Sequence, residues 1–203
     1  MDDGSDQGEV FRIRGNSLTV GRTVGEIQIP NDRDLSGQHA RVELVAGPKQ
    51  PRRFRLVDLD STNGTFVRVH QALLTDGTDL ILGAHRYRWS VDVPDHGTLT
   101  RMDHEDHPSW QFSKNATHYI GRTLPKPRDG HSSVEPVIEL LDDPFLDSTH
   151  ARIEFMPQQA LWMMTNVESQ NGVWCRIQTT WLNGKTEFRC GEQRFRFQFE
   201  SPV

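Results

Sequence analysis

The chain holds only two cysteines in 203 residues, Cys175 and Cys190, both in its second half. That excludes a disulfide-stapled scaffold, and two reduced thiols in strands are the expectation. No run approaches 18 apolar residues, so there is no hydrophobic span for a membrane helix. Met1-Asp2-Asp3-Gly4 is too acidic to open a secretory signal, and an intracellular, cytoplasmic protein is expected. The net charge of −5 lacks the basic excess that general nucleic-acid binding requires. There is no glycine-rich nucleotide loop, and no nucleophile accompanied by a base and an orienting group, so neither an enzyme nor a cofactor is expected. Asp103-His104-Glu105-Asp106-His107, with His96 nearby, is dense in metal-ligand types. It sits in a polar connector with no apolar shell to fix geometry, so it reads as a solvated loop and no metal is expected.

What the chain does have is alternation. Tyr87-Arg88-Trp89-Ser90-Val91-Asp92-Val93 and Phe195-Arg196-Phe197-Gln198-Phe199 place apolar residues at every second position, the period of a half-buried strand. Asn63-Gly64, Asp76-Gly77, Asn171-Gly172 and Asn183-Gly184 punctuate the strands as turns. Many short strands with regular turns predict an all-β chain of two β-sandwiches.

The sandwiches are expected in tandem because the sequence repeats itself. Ala40-Arg41-Val42-Glu43-Leu44 has its counterpart in Ala151-Arg152-Ile153-Glu154-Phe155, and Asn63 to Gly83 has the same spacing as Asn171 to Gly191. The expected organisation is an acidic tail over 1–9, a first domain over 10–95 and a second over 96–203, divided near Pro94-Asp95-His96-Gly97. The second copy carries a longer Pro-rich, polar segment within 123–145, expected as a protruding loop. The first copy has little before Phe11 to form an opening strand, whereas the second has Leu99-Thr100-Arg101-Met102.

Three loop segments recur in both copies. The first copy has Gly21-Arg22, then Ser36-Gly37-Gln38-His39, then Ser61-Thr62-Asn63-Gly64. The second has Gly121-Arg122, then Asp147-Ser148-Thr149-His150, then Ser169-Gln170-Asn171-Gly172. An arginine fork, hydroxyls and a backbone N–H match the three strong acceptor oxygens of a phosphate. An asparagine amide gives and accepts together, which suits an extended peptide backbone. In the second copy Asp147 and Gln170 stand at the hydroxyl positions. A carboxylate within a few ångströms of a phosphate dianion costs on the order of 1–4 kcal/mol, and it also offers Arg122 an internal partner. A sliding alignment instead puts Ser148 in the serine's place, at the expense of the His150 register. Lys126 and Arg128 in the long segment are a candidate replacement anion site.

This motif set resembles the forkhead-associated (FHA) domain, a phosphothreonine-reading β-sandwich, and the resemblance runs over almost the whole chain as a tandem pair. By resemblance, Arg22 pairs with phosphate oxygens, Ser36 and Thr62 donate hydroxyls, and Gly37 offers its N–H. Asn63 holds the ligand main chain, His39 braces the loops, and Gly21 and Gly64 supply backbone shape. Asp34 lies near where some family members select a residue beyond the phosphothreonine. Arg122, Asp147, Ser148, Gln170 and Asn171 form the degenerate second site. The implied partner is a phosphothreonine protein modified by a Ser/Thr kinase, with self-association through the second domain as a further expectation. The alternative is a phosphorylation-independent assembly module. Arg52-Arg53-Phe54-Arg55 is a basic patch, read first as a charged solvent face and second as an attraction for acidic residues around a phosphosite.

Overall fold

The computed structural model describes residues 8–47, 50–93, 96–122, 137–140 and 142–199. Among the described residues there are eighteen strands, and no helix is long and apolar enough to cross a membrane. The first half supplies β1 (Ser17–Gly21), β2 (Ile27–Gln28), β3 (Ala40–Gly47), β4 (Gln50–Asp58), β5 (Thr65–Val69), β6 (Gln71–Leu74), β7 (Thr78–Leu82) and β8 (His85–Val93). The second half supplies β9 (His96–Arg101), β10 (Ser109–Ser113), β11 (His118–Gly121), β12 (Val137–Glu139), β13 (Ala151–Met156), β14 (Leu161–Asn166), β15 (Val173–Ile177), β16 (Thr179–Leu182), β17 (Glu187–Cys190) and β18 (Gln193–Arg196). The all-β expectation holds, and no strand lies between Gly8 and Asn16.

The chain forms two compact units, and they do not follow the sequence halves. Unit 1 is Met1–Thr65, Gln178–Lys185 and Cys190–Val203; unit 2 is Phe66–Ile177 and Thr186–Arg189. The division expected at residues 95 and 96 is therefore corrected. In its place β8 and β9, both in unit 2, pair antiparallel, with Val93 opposite His96. Each unit takes strands from both expected copies. In unit 1, β16 from the second copy completes the sheet β16-β4-β3-β1-β2, with Thr180 opposite Leu56. In unit 2, β6 from the first copy completes β12-β11-β13-β14-β6, with Ala72 opposite Met164. β7 from the first copy pairs with β15 of the second.

The exchange is pinned twice by the same device. Asp32, buried in unit 1, accepts hydrogen bonds through Oδ2 from the Glu192 N–H (2.9 Å) and Gln193 Nε2 (3.0 Å). Asp143, buried in unit 2, accepts the Ala84 N–H at 2.9 Å. Each bond ties one copy's loop to the strand turn contributed by the other. Gly191 (φ +58°) and Gly83 (φ +57°) occupy those turns, and a Cβ would lie 2.7 Å from Asp32 Oδ2 or 2.1 Å from Asp143 Oδ2. Only glycine adopts this left-handed backbone without strain and leaves room for the carboxylate.

Packing follows the strand period. In unit 1 the inward row Leu18, Val42, Leu56 crosses three strands in register and is buried throughout. The outward row on the same strands is Ser17, Glu43, Arg55 and Trp181. Arg55 pairs with Glu43, and the guanidinium of Arg53 lies 4.4 Å from the centre of the Trp181 ring, so two members of the basic patch are engaged on that face. Unit 2 has the larger core, centred on Trp89, which packs against Phe112 (5.4 Å between ring centres) and Trp162 (5.3 Å). Fully burying a large apolar side chain contributes roughly 1.5–3 kcal/mol.

The long segment also differs from expectation at its end. Residues 137–139 form β12, which pairs parallel with β11, and Ile138 is buried. Pro125 to Ser133, Lys126 and Arg128 included, lie outside the described residues. Cys175 and Cys190 are free, and burial pushes their thiols up to about 11 and about 12. Among the described residues no cluster is arranged to hold a metal ion, and Asp103 instead pairs with His85 and Arg101.

Candidate functional site

The loops of unit 1 converge through bonds that each motif residue's chemistry requires. Gly21 closes β1 where the next loop crosses it; a Cβ there would stand 2.3 Å from the Gly37 carbonyl oxygen. The Arg22 N–H donates to the Ser36 carbonyl at 2.8 Å, which fixes arginine and serine side by side. His39 is fully buried between the loops. Its Nδ1 accepts the Ser36 N–H (3.1 Å), so Nε2 carries the proton and donates to the Gly64 carbonyl (3.1 Å). Gly64 itself has φ +82°, and its N–H donates to Ser61 Oγ at 3.0 Å.

Beneath the third loop, Asp58 accepts from Ser61 Oγ (2.6 Å), the Ser61 N–H (3.0 Å) and Thr65 Oγ1 (2.6 Å). Such charge-assisted bonds are about twice as strong as neutral ones. They hold Asp60 at φ +52° and aim Thr62 and Asn63 outward.

The donors are left unspent. Ser36 Oγ accepts the Thr62 N–H at 3.0 Å, so its own proton stays available. Among the described residues the Arg22 guanidinium, the Gly37 N–H and the Thr62 hydroxyl have no partner. Arg22 and Ser36 are half-buried and Thr62 is exposed, so the four donors line an open rim. Asn63 Nδ2 donates to the Asp34 carbonyl at 3.0 Å. Asp34 is in turn held by Asp32, whose Oδ1 accepts its N–H at 2.9 Å. Asp32 was not read from the sequence as part of this site. Its signal was present in both copies, as Asp32-x-x-Leu35 and Asp143-x-x-Leu146.

Unit 2 repeats most of this frame, with Asn166 accepting from Ser169 where unit 1 has Asp58, and Val173 in place of the Thr65 donor. The Arg122 N–H donates to the Asp147 carbonyl (3.0 Å), a Cβ on Gly121 would stand 2.0 Å from the Ser148 oxygen, and His150 Nε2 donates to the Gly172 carbonyl (3.0 Å). Glu168 sits at φ +51° where unit 1 has Asp60. This fixes the alignment: Asp147 matches Ser36 and Ser148 matches Gly37, so the sliding alternative is wrong. Asp147 Oδ2 accepts the Gln170 N–H at 2.8 Å, the bond that Ser36 makes to Thr62. The expected pairing with Arg122 is not formed among the described residues; Arg122 is exposed, and the carboxylate is committed to its loop instead. Asn171 Nδ2 donates to the Phe145 carbonyl at 2.8 Å, and Phe145 is 55% exposed where unit 1 has Asp34. Burial holds the His150 imidazole below its ordinary range, outweighing the Gly172 bond and the nearby Asp147 and Asp143 carboxylates.

The two rims therefore share a geometry and differ in where the carboxylate stands. Unit 1 sets neutral donors beside its arginine and keeps its carboxylate, Asp34, by Asn63; unit 2 sets the carboxylate, Asp147, beside the arginine and has Phe145 by Asn171.

Among known families, the model of the FHA domain matches residues 18–83. FHA domains are phosphopeptide-binding protein-interaction modules with a β-sandwich fold. The matched stretch takes in the whole unit 1 rim and continues past Thr65 into the strands given to unit 2. No curated protein and no solved structure matches the chain.

Proposed function

We propose that the chain is a phosphothreonine-dependent adaptor in which unit 1 reads the phosphopeptide. The observation that carries this reading is the set of unspent donors converging on one rim: the Arg22 guanidinium, the Ser36 hydroxyl, the Gly37 N–H and the Thr62 hydroxyl. In this reading Arg22 grips the phosphate, the two hydroxyls and the N–H complete the cage, and Asn63 holds the ligand main chain. His39, Gly21 and Gly64 keep the loops in shape. The partner is a threonine-phosphorylated protein modified by a Ser/Thr kinase in the cytoplasm, and the chemistry is recognition without catalysis. The second copy is read as an FHA-like module of altered chemistry that engages protein without a phosphate or dimerises.

A second reading, phosphorylation-independent assembly, is favoured by one observation: Asp147 puts an acceptor on the unit 2 rim where Ser36 offers a hydroxyl donor on the unit 1 rim. Arg22→Ala separates the two. Losing its charge-assisted bonds costs about 2–4 kcal/mol, which is about 30- to 700-fold in affinity. A pull-down with and without phosphatase treatment should lose its partner in both the dephosphorylated and the Arg22→Ala arms. A partner retained in both overturns the phosphothreonine reading.

A further inference from the structure

The unit 2 rim keeps a peptide-holding frame while giving up the means to hold a phosphate. A site that had merely decayed would have no reason to keep a strained non-glycine backbone at Glu168 (φ +51°), a fully buried bracing histidine and an oriented asparagine. We infer that unit 2 binds an extended segment presenting an unphosphorylated serine or threonine, and that phosphorylation of that residue expels it.

Four features define the ligand. Asp147 Oδ2 is spent on the Gln170 N–H, and Oδ1 has no partner among the described residues, so the rim offers one carboxylate oxygen that only accepts. A serine or threonine hydroxyl supplies the matching donor, in a charge-assisted bond. Asn171 has committed its amide nitrogen to Phe145, and its side-chain Oδ1, unpartnered among the described residues, is left to accept a ligand main-chain N–H. The exposed guanidinium of Arg122 donates to ligand carbonyls. The exposed Phe145 ring supplies an apolar platform for a neighbouring side chain, where the unit 1 rim has a carboxylate.

Charge selects the neutral hydroxyl over its competitors. Arg122 and Asp147 together carry no net charge, and their loops meet through the 3.0 Å backbone bond. A phosphate dianion placed on this rim faces Asp147, and a lysine or arginine faces Arg122. Only an uncharged donor meets neither repulsion. The two units then respond to threonine phosphorylation with opposite sign. This proposal rests on reading both rims as peptide sites, but not on unit 1 binding phosphate.

The test uses the full chain carrying Arg22→Ala, which silences the unit 1 rim. The probes are arrayed 13-residue peptides with a central serine or threonine, each synthesised with and without phosphate; binding is read by fluorescence anisotropy. Arg22→Ala protein should bind a subset of unphosphorylated peptides, and the phosphate should weaken each at least tenfold. Adding Asn171→Ala should abolish that binding. Adding Asp147→Ser should reverse the preference, since it removes the repelling carboxylate and puts a hydroxyl donor beside Arg122. Unchanged thermal unfolding of each variant separates these losses from misfolding. Wild-type protein reports on unit 1 independently, through phosphopeptides bound by it and lost in Arg22→Ala. The inference is overturned if no unphosphorylated peptide binds the Arg22→Ala chain, if phosphorylated forms bind it better, or if Asp147→Ser leaves the preference unmoved.

Discussion

Three glycine-to-alanine substitutions separate backbone strain from the pin that holds the exchanged strands. Gly77, Gly83 and Gly191 all have positive φ, at +79°, +57° and +58°. An alanine at Gly77 meets nothing within 4 Å, so it costs only the left-handed strain of an L-residue, about 1–2 kcal/mol. At Gly191 the new Cβ would stand 2.7 Å from Asp32 Oδ2, so the carboxylate must move and release the Glu192 N–H and Gln193 Nε2. Each hydrogen bond to a charged group is worth about 1.5–3 kcal/mol. Losing even one of them on top of the strain puts Gly191→Ala at roughly 2.5–5 kcal/mol. For a chain of this size unfolding cooperatively, about 2–4 °C of melting temperature accompanies each kcal/mol. Calorimetry should therefore show a drop of about 2–8 °C for Gly77→Ala and about 5–20 °C for Gly191→Ala. Gly83→Ala, with its Cβ 2.1 Å from Asp143 Oδ2, should fall in the larger class. Affinity adds a second discrimination. Asp32 also holds the Asp34 N–H, and the Asp34 carbonyl holds Asn63, so Gly191→Ala should weaken a phosphothreonine peptide. Gly83→Ala, which disturbs unit 2, should leave that peptide affinity unchanged. Gly191→Ala melting within about 2 °C of Gly77→Ala would falsify the pin.

Because β16 and the Gly191 turn come from the second copy, residues 1–95 alone should neither melt cooperatively nor bind phosphopeptide, and mixing them with residues 96–203 should restore both. A well-folded, peptide-binding 1–95 fragment, seen by circular dichroism and anisotropy, would contradict the exchange. Ser36→Asp copies the unit 2 rim onto unit 1. It should keep the bond to the Thr62 N–H, leave the melting temperature unchanged and reduce phosphopeptide affinity by one to three orders of magnitude, from a like-charge cost of about 1–4 kcal/mol; titration calorimetry reading an unchanged affinity refutes the cage. Burial holds His118 and His150 below their ordinary range, with bonds to Ser113 and Gly172 only partly opposing it. The stability these histidines contribute is complete above the unfolded imidazole value near about 6.5 and is lost as pH falls through their folded values. The melting temperature should therefore decline between about pH 7 and pH 5, above the window in which carboxylates such as Asp103 titrate. A flat profile there would sink the argument. Burial alone would raise the Asp103 carboxyl, but bonds from His85 and Arg101 hold it below its usual range, so its contribution is lost only at lower pH.

Both rims were legible in the sequence because they are local. Ser61-Thr62-Asn63-Gly64 and Ser169-Gln170-Asn171-Gly172 each dictate a tight turn with a positive φ, and a buried histidine immediately before the neighbouring strand, His39 before β3 or His150 before β13, reaches its own loops. The alternation along β8 and β13 showed which side chains face inward, and the Ser36-to-Asp147 difference showed which rim lost its donor. Strand partnership was not legible. Ala72-Leu73-Leu74 and Thr180-Trp181-Leu182 share a length and a register, and both end on a buried leucine, so either strand satisfies the edge of β4 or of β14 by pattern alone. The choice was made by contacts distant in sequence: Asp32 with the Gly191 turn, Asp143 with the Gly83 turn, and paired backbone bonds from Asp58 to Gln178 and from Asn166 to His70. Repeats encode each strand's inner face and each loop's shape locally, whereas which copy closes which sheet depends on the free energy of the assembled chain, and that belongs to no single segment.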